Sequence, residues 1–209
     1  MKGFKWYIWI IMLHVLPALK LYPQKDLLAY VPASGCSNYI NITGNTNVNR
    51  FEFRLDYPIH KIFSVDHSVL TSRHHTDVYE IFLPVNSFEA DNQLVLRDFI
   101  TLLKANLYPE IIIGIGYNQL LDFRKGENHH VQYIRITLAG VTKEYPVLFM
   151  VNSCSDNLVY ISGYKNIRLT DFGIEPPEKF QGLVKVENEV LINFGFVFMF
   201  GSETQNLKN

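Results

Sequence analysis

Histidines and carboxylates in one polar stretch are the side chains of this sequence whose types most suggest chemistry. The stretch runs from Pro58 to Asp77, and its candidates are Asp66, His67, His74, His75 and Asp77. Imidazole and carboxylate groups bind metal ions and transfer protons near neutral pH. Adjacent residues of a strand face opposite sides, so the pair His74–His75 would chelate an ion only from a loop. We expect a solvated loop here and no metal site.

Three other motifs imitate catalytic or cofactor signatures but lack the residues that normally accompany them. Asp171-Phe172-Gly173 occurs without the glycine-rich loop and the catalytic-loop His-Arg-Asp that a protein kinase needs. Gly114 and Gly116 are not followed by a third glycine at the spacing of a dinucleotide site. Asp66-His67-Ser68 holds the residue types of a hydrolase triad, but neighbours in sequence rarely have triad geometry. The sequence therefore predicts no enzyme.

The N-terminal segment has the features of a secretory signal peptide. Lys2 and Lys5 give it a positive start, and Trp6 to Leu16 form an apolar run. That run is shorter than the ~20 apolar residues that span a bilayer. We therefore predict a signal peptide over residues 1–22, cut between about 18 and 23, with an uncleaved membrane anchor as the alternative.

The chain has two cysteines, Cys36 and Cys154, and both follow the predicted signal peptide. Thiols of exported proteins tend to oxidise, so a disulfide between them is the favoured prediction. Two free, inert cysteines are the alternative, because sequence does not show whether the two Cα atoms come within bonding reach. No histidine pair lies at a spacing that would make a zinc site with them.

Composition narrows the class of protein. The 209 residues carry a formal net charge of −1, which argues against a nucleic-acid binder that relies on a basic face. A hydrophobic content of 48% argues against a disordered chain. The 15 Phe and 12 Tyr favour strands, because these side chains pack well on a pleated surface.

Alternation of apolar and polar residues predicts an all-β protein. In the clearest case, Phe51, Phe53, Leu55 and Tyr57 share one face. Strands are predicted over residues 39–44, 49–57, 78–85, 110–117, 131–139, 145–151, 158–169, 183–186 and 190–200, the last two as a hairpin around Glu187 and Asn188. Short antiparallel strands at this spacing favour a closed barrel or a sandwich of about eight strands.

One segment breaks the alternation and predicts an amphipathic helix near residues 94–105. Leu96, Phe99, Ile100 and Leu103 form its apolar stripe. Asp91 and Asn92 precede it and can cap its first turn, and Pro109 prevents its continuation.

The last predicted strand is apolar on both faces, so both faces are expected to be covered. Val190, Ile192, Phe194, Phe196, Phe198 and Phe200 share one face. An outer helix and a filled interior would cover them. A second interpretation is a barrel interior that holds an apolar ligand, as eight-stranded barrels can.

Four blocks in order resemble the YceI-like family of lipid- and polyisoprenoid-binding proteins. The blocks are NYINITGNTNVNRFEF, FLPVNSFEADNQLVLRDFITLLKANLYPEI, ITLAGVTKEYPV and ISGYKNIRLTDFGIEPP. The resemblance implies a single lipocalin-like antiparallel β-barrel domain over residues 35–200, with a flexible tail over 201–209. It also implies an exported bacterial protein, periplasmic or extracellular, that carries or stores a long-chain amphiphile and catalyses no reaction.

The resemblance implies a ligand inside the barrel, and alternation assigns the side chains that would line it. They are Phe51, Phe53, Leu55, Ile134, Ile136, Phe194, Phe196 and Phe198, with Phe99 and Leu103 of the helix closing one end. The expected partner is an apolar-tailed lipid or isoprenoid, with no other cofactor and no nucleic acid. Transient membrane contact and a homodimer stay open. The alternatives are an envelope stress or interaction protein with a packed, ligand-free barrel, and an unidentified enzyme on the same barrel.

Overall fold

The structure is a computed structural model that describes residues 36–56, 62–65, 78–125, 130–155, 158–179 and 181–200. All of them belong to one compact unit, Ser34–Asn209. The predicted signal peptide, the C-terminal tail and the candidates Asp66, His67, His74, His75 and Asp77 lie outside the described residues. Within the described residues, no helix is long and apolar enough to cross a membrane.

Ten strands account for most of the described chain. They are β1 (Tyr39–Thr46), β2 (Arg50–Asp56), β3 (Phe63–Val65), β4 (Val78–Pro84), β5 (Glu110–Gly116), β6 (His130–Leu138), β7 (Val141–Ser155), β8 (Leu158–Arg168), β9 (Glu178–Lys179) and β10 (Val184–Phe200).

Eight of these strands form one curled antiparallel sheet in the order β2-β1-β10-β8-β7-β6-β5-β4. Short β3 runs parallel to the end of β10, and β9 pairs with its start. The edge strand β2 meets the segment after β4 through two backbone hydrogen bonds between Arg54 and Glu89, 2.7 and 2.9 Å long. The sheet curls into a half-barrel, which confirms the predicted all-β, lipocalin-like class.

The predicted amphipathic helix is present as α1 (Gln93–Leu102). The side chain of Asn92 caps it by accepting hydrogen bonds from the backbone N–H groups of Leu94 and Val95. Phe99 is its one buried residue within these bounds. Arg54 of β2 is also bonded to Asp91 just before the helix, which ties the start of the helix to the edge strand.

The prediction of a single helix is wrong, because a second one, α2 (Tyr117–Arg124), follows β5 directly. Only Leu120 and Phe123 of its eight residues are buried. Gln119 stabilises its first turn by accepting from the Gly116 N–H and donating to the Tyr133 carbonyl. A helix this short has too few apolar residues to show a clear stripe in the sequence.

The predicted hairpin around Glu187 and Asn188 is also wrong, because β10 is continuous through both residues. Asn188 bonds instead to Thr170, accepting from its backbone N–H and donating to its hydroxyl. These polar residues lie in a strand because their side chains form hydrogen bonds with residues of neighbouring elements. Those partners, Thr170 and Asn45, are distant in sequence.

Cys36 and Cys154 form a disulfide, with 6.0 Å between their Cα atoms and a separation of 118 positions in sequence. The bond joins the residue stretch before β1 to the end of β7. Beside it, Tyr39, Tyr160 and Val197 form a small apolar cluster separate from the main core.

Candidate functional site

A cavity of about 740 Å³ lies between α1 and the inner face of the sheet. Its strand walls are almost entirely apolar. The principal strand residues are Ile42, Phe53, Leu138, Ile167, Val190 and Ile192, and Phe51, Val184 and Val186 extend this wall toward solvent. A cavity of this size falls within the ~300–1,000 Å³ typical of small-molecule sites.

Strand register explains why these side chains meet. Ile42 of β1 is paired with Phe53 of β2 on one side and with Ile192 of β10 on the other. Directly paired residues of antiparallel strands project from the same face of the sheet. One row of three inward side chains therefore crosses three strands and forms the back of the cavity.

Helix α1 supplies the opposite wall. Leu94, Val95 and Leu102 line the cavity, as does Leu103 just after the helix, and the Phe99 ring stacks on Phe53 at 4.0 Å between centroids. Of the stripe that predicted the helix, Phe99 and Leu103 line the cavity, whereas Leu96 and Ile100 do not. The start of the helix is held by the ion pair between Arg54 and Asp91, 2.7 Å long, which also raises the pKa of Arg54.

The ionisable lining side chains lie at the solvent end of the cavity. Arg97, Asp98 and Lys179 are all exposed, and Asp98 accepts a hydrogen bond from the Lys179 ammonium group at 3.0 Å. That ion pair links α1 to β9 across the cavity entrance. Asn92, Thr46 and Thr101 add neutral polar groups to the lining. The site therefore has an apolar interior and a polar entrance.

A short turn after β8, Leu169–Phe172, adds to the cavity wall. Leu169 of this turn lines the cavity, and Asp171 accepts a hydrogen bond from the Tyr145 hydroxyl at 2.9 Å. Burial, and then this hydrogen bond, raises the pKa of Tyr145 well above its ordinary value, so the phenol stays protonated and continues to donate. The bond holds the turn against β7 and so keeps Leu169 in the wall.

The ten residues predicted to line a ligand divide into two groups. Phe51, Phe53, Phe99 and Leu103 line the cavity. The other six lie in the closely packed part of the core, each at most 5% exposed, and do not line it: Leu55, Ile134, Ile136, Phe194, Phe196 and Phe198. Contact of a ligand with any of the ten stays a prediction.

Sequence reasoning missed part of the wall. Val190 and Ile192 share the inward face of β10 with the predicted phenylalanines, so alternation had already placed them correctly. The choice of the larger rings over these smaller side chains caused the omission. Leu138 shares the inward face of β6 with Ile134 and Ile136, so alternation had placed it correctly too, and Ile167 of β8 was not selected.

No group of three or more metal-binding side chains occurs among the described residues. The arrangement of the cavity suits an apolar molecule that keeps a polar end near solvent. Such sites bind through buried apolar area and orient the ligand by a few polar groups.

The described fold has relatives among solved structures. A polyisoprenoid-binding domain from Saccharophagus degradans, implicated in plant cell wall breakdown, aligns with 78% of this chain and 93% of its own at a TM-score of 0.56 and 11% identity. BcnA from Burkholderia cenocepacia aligns with 77% of this chain and 95% of its own at 0.55 and 13% identity. A Campylobacter jejuni YceI protein gives a weaker likeness, with a TM-score of 0.46, 14% identity, and coverage of 60% of this chain and 74% of its own.

These likenesses confirm the YceI-like fold that the sequence resemblance implies. At such low identity they establish the fold and leave function to the site. No protein-family model matches the chain, and no curated protein matches it in sequence.

Proposed function

We propose that this protein binds an apolar-tailed lipid of the isoprenoid type in the cavity beneath α1, for carriage or storage. The observation that supports it best is the 740 Å³ apolar cavity whose ionisable lining lies only at its entrance. The polyisoprenoid-binding domain of S. degradans shares the fold, which favours the same class of ligand. The protein acts by binding and has no catalytic role.

The geometry determines how such a ligand would be oriented. Its tail would lie against Ile42, Ile192 and Val190, where burial contributes about 25 cal/mol per Å² of apolar surface. A polar head group would stay beside Arg97 and Lys179, because an unpaired polar group in the interior costs ~1–3 kcal/mol.

An exported protein, periplasmic or extracellular in a bacterium, is the setting that fits this role. The Cys36–Cys154 disulfide supports it, because such bonds persist in oxidising compartments. Edman sequencing of the protein from the culture medium and the periplasm tests both the location and the cleavage of residues 1–22.

A charge in the cavity wall should weaken binding and leave the fold intact. Val186 of β10 is half-buried and lines the part of the apolar wall nearest solvent, so Val186→Asp would place a carboxylate where the ligand tail enters. We expect affinity for farnesol to fall at least about tenfold, equal to ~1.4 kcal/mol. Native mass spectrometry of the delipidated protein with farnesol would measure this.

Val131→Asp is the matched control. Val131 is also a strand valine, but it lies on the outer face of β6 and is 62% exposed. The Val131→Asp variant should bind farnesol as tightly as the unchanged protein does. Equal binding by Val186→Asp would place the ligand elsewhere, and a protein that takes up no apolar lipid would favour the packed, ligand-free barrel.

Removing the ion pair across the entrance should speed ligand exchange. Asp98→Ala breaks the ion pair with Lys179. The side chains of Asp98 and Lys179 are each about half exposed. We expect the dissociation rate of farnesol to rise by up to about fivefold and the free energy of unfolding to change by less than ~1 kcal/mol. Stopped-flow transfer to lipid vesicles measures the rate.

Asp122→Ala controls for the loss of a surface ion pair as such. Asp122 pairs with Lys125 at the same 3.0 Å distance, at the end of α2 and outside the cavity lining. Farnesol should dissociate from the Asp122→Ala variant at the same rate as from the unchanged protein. A similar increase in both variants would show that the Asp98–Lys179 pair does not guard the entrance.

A further inference from the structure

We infer that the ligand tail is short or compact, and that Phe194 sets its length limit by closing the inner end of the cavity. This inference rests on the proposed function and narrows its ligand class. The reason is that, among the described residues, the cavity reaches only part of the inward face of β10, although the apolar pattern of that strand continues to Phe200.

Two successive rows of inward side chains show where the opening ends. Ile42 and Ile192 are paired across β1 and β10, and both line the cavity. The next inward pair along the same strands, Ile40 and Phe194, does not line it, and each residue is only 1% exposed. The boundary of the cavity therefore falls between these two rows.

The Phe194 ring is held in place from three directions. It stacks on Phe196 at 5.4 Å and packs edge-on to Phe149 at 5.9 Å. Gly163 lies opposite it on β8, and a Cβ atom there would approach the ring to 3.2 Å, so the missing side chain provides the space that the ring fills. Because protein interiors are closely packed, a tail could pass this point only by displacing the ring.

Behind Phe194 the interior is filled with further rings. Phe196 packs edge-on to Phe63 at 5.6 Å, and Phe63 lies 5.7 Å from Phe198. Phe196 and Phe198 have no exposed surface. Additional isoprene units of a long chain would therefore stay outside the entrance, in water, and would gain no buried area.

Competition among prenyl alcohols of different length tests the limit. The delipidated protein would be equilibrated with equal amounts of farnesol, geranylgeraniol and solanesol in a mild detergent, and the bound alcohol identified by native mass spectrometry. We expect solanesol, the longest, to be bound at least about tenfold less than the two shorter alcohols. Equal binding of solanesol would overturn the length limit and leave the proposed function in place.

Phe194→Ala should relax the limit, and Phe198→Ala is its matched control. Both residues are inward phenylalanines of β10 and at most 1% exposed, but only Phe194 adjoins the cavity. We expect Phe194→Ala to increase the relative binding of solanesol at least about fivefold and Phe198→Ala to leave it unchanged. Equal shifts in both variants, or none in Phe194→Ala, would overturn the role of Phe194.

Ile192→Phe tests the same point without creating a void, in case Phe194→Ala does not fold. A larger side chain in the last lining row should shorten the cavity. It should therefore weaken the binding of geranylgeraniol more than the binding of farnesol. An equal loss for both alcohols would contradict the inference. If the unchanged protein binds none of the three alcohols, both this inference and the proposed function fail.

Discussion

Replacing both Cys36 and Cys154 with serine is expected to lower the free energy of unfolding by about 2–5 kcal/mol, with the upper half of that range favoured by the long loop. The disulfide connects positions 118 residues apart, so in the chain-entropy model it strongly restricts the unfolded chain. It also holds the start of β1 next to the end of β7. Urea titration followed by circular dichroism would measure the loss.

The reducing agent dithiothreitol provides the control for this prediction. It should destabilise the unchanged protein by a similar amount and should not affect the double serine variant. Because the cavity is lined by the other end of the strands, we expect the serine variant to bind farnesol while it remains folded. A loss of less than ~1 kcal/mol would show that the unfolded chain gains little freedom without the bond.

Phe196→Ala is expected to lower the free energy of unfolding by about 3–5 kcal/mol, the usual cost of deleting a buried aromatic ring. Phe196 has no exposed surface, stacks on Phe194 at 5.4 Å and packs edge-on to Phe63 at 5.6 Å. Its removal leaves a void among rings that are fixed by their own neighbours. Urea unfolding and the change in Tm would report the effect.

Phe82→Ala is the comparison for Phe196→Ala, because Phe82 is a strand phenylalanine with 44% of its surface exposed. It should cost no more than ~1 kcal/mol. Phe196→Ala should still bind farnesol when folded, since Phe196 does not line the cavity. Loss of binding without loss of stability would mean that the ligand reaches deeper than Phe194.

Much of the architecture could be read from local patterns. Alternation in β2 placed Phe51, Phe53 and Leu55 on one face, and the structure buries Phe53 and Leu55 and packs Phe51 against the core. The apolar stripe between Asn92 and Leu103 identified α1 and its capping residue. These patterns are legible because each element buries one face, and the period of the apolar residues follows from its backbone geometry.

Other elements depend on contacts that the local sequence does not encode. Helix α2 has only two buried residues, Leu120 and Phe123, so its apolar signal is weak. The continuity of β10 through Glu187 and Asn188 depends on the bonds between Asn188 and Thr170, which approach one another only in the folded chain. Local turn preferences therefore gave a hairpin where the tertiary structure has a strand.

By itself, the sequence determined which residues point inward and that a helix covers part of the inner face. Only the tertiary structure decided which inward residues surround open space. Ile192 and Phe194 are two residues apart on the same face of β10, yet the first lines the cavity and the second closes it. The physical reason is that alternation assigns a side chain to a face, whereas a cavity depends on what the opposite strands and helix place across from it. Here Ile192 and residues of α1 line the same cavity, and a cluster of aromatic rings packs around Phe194.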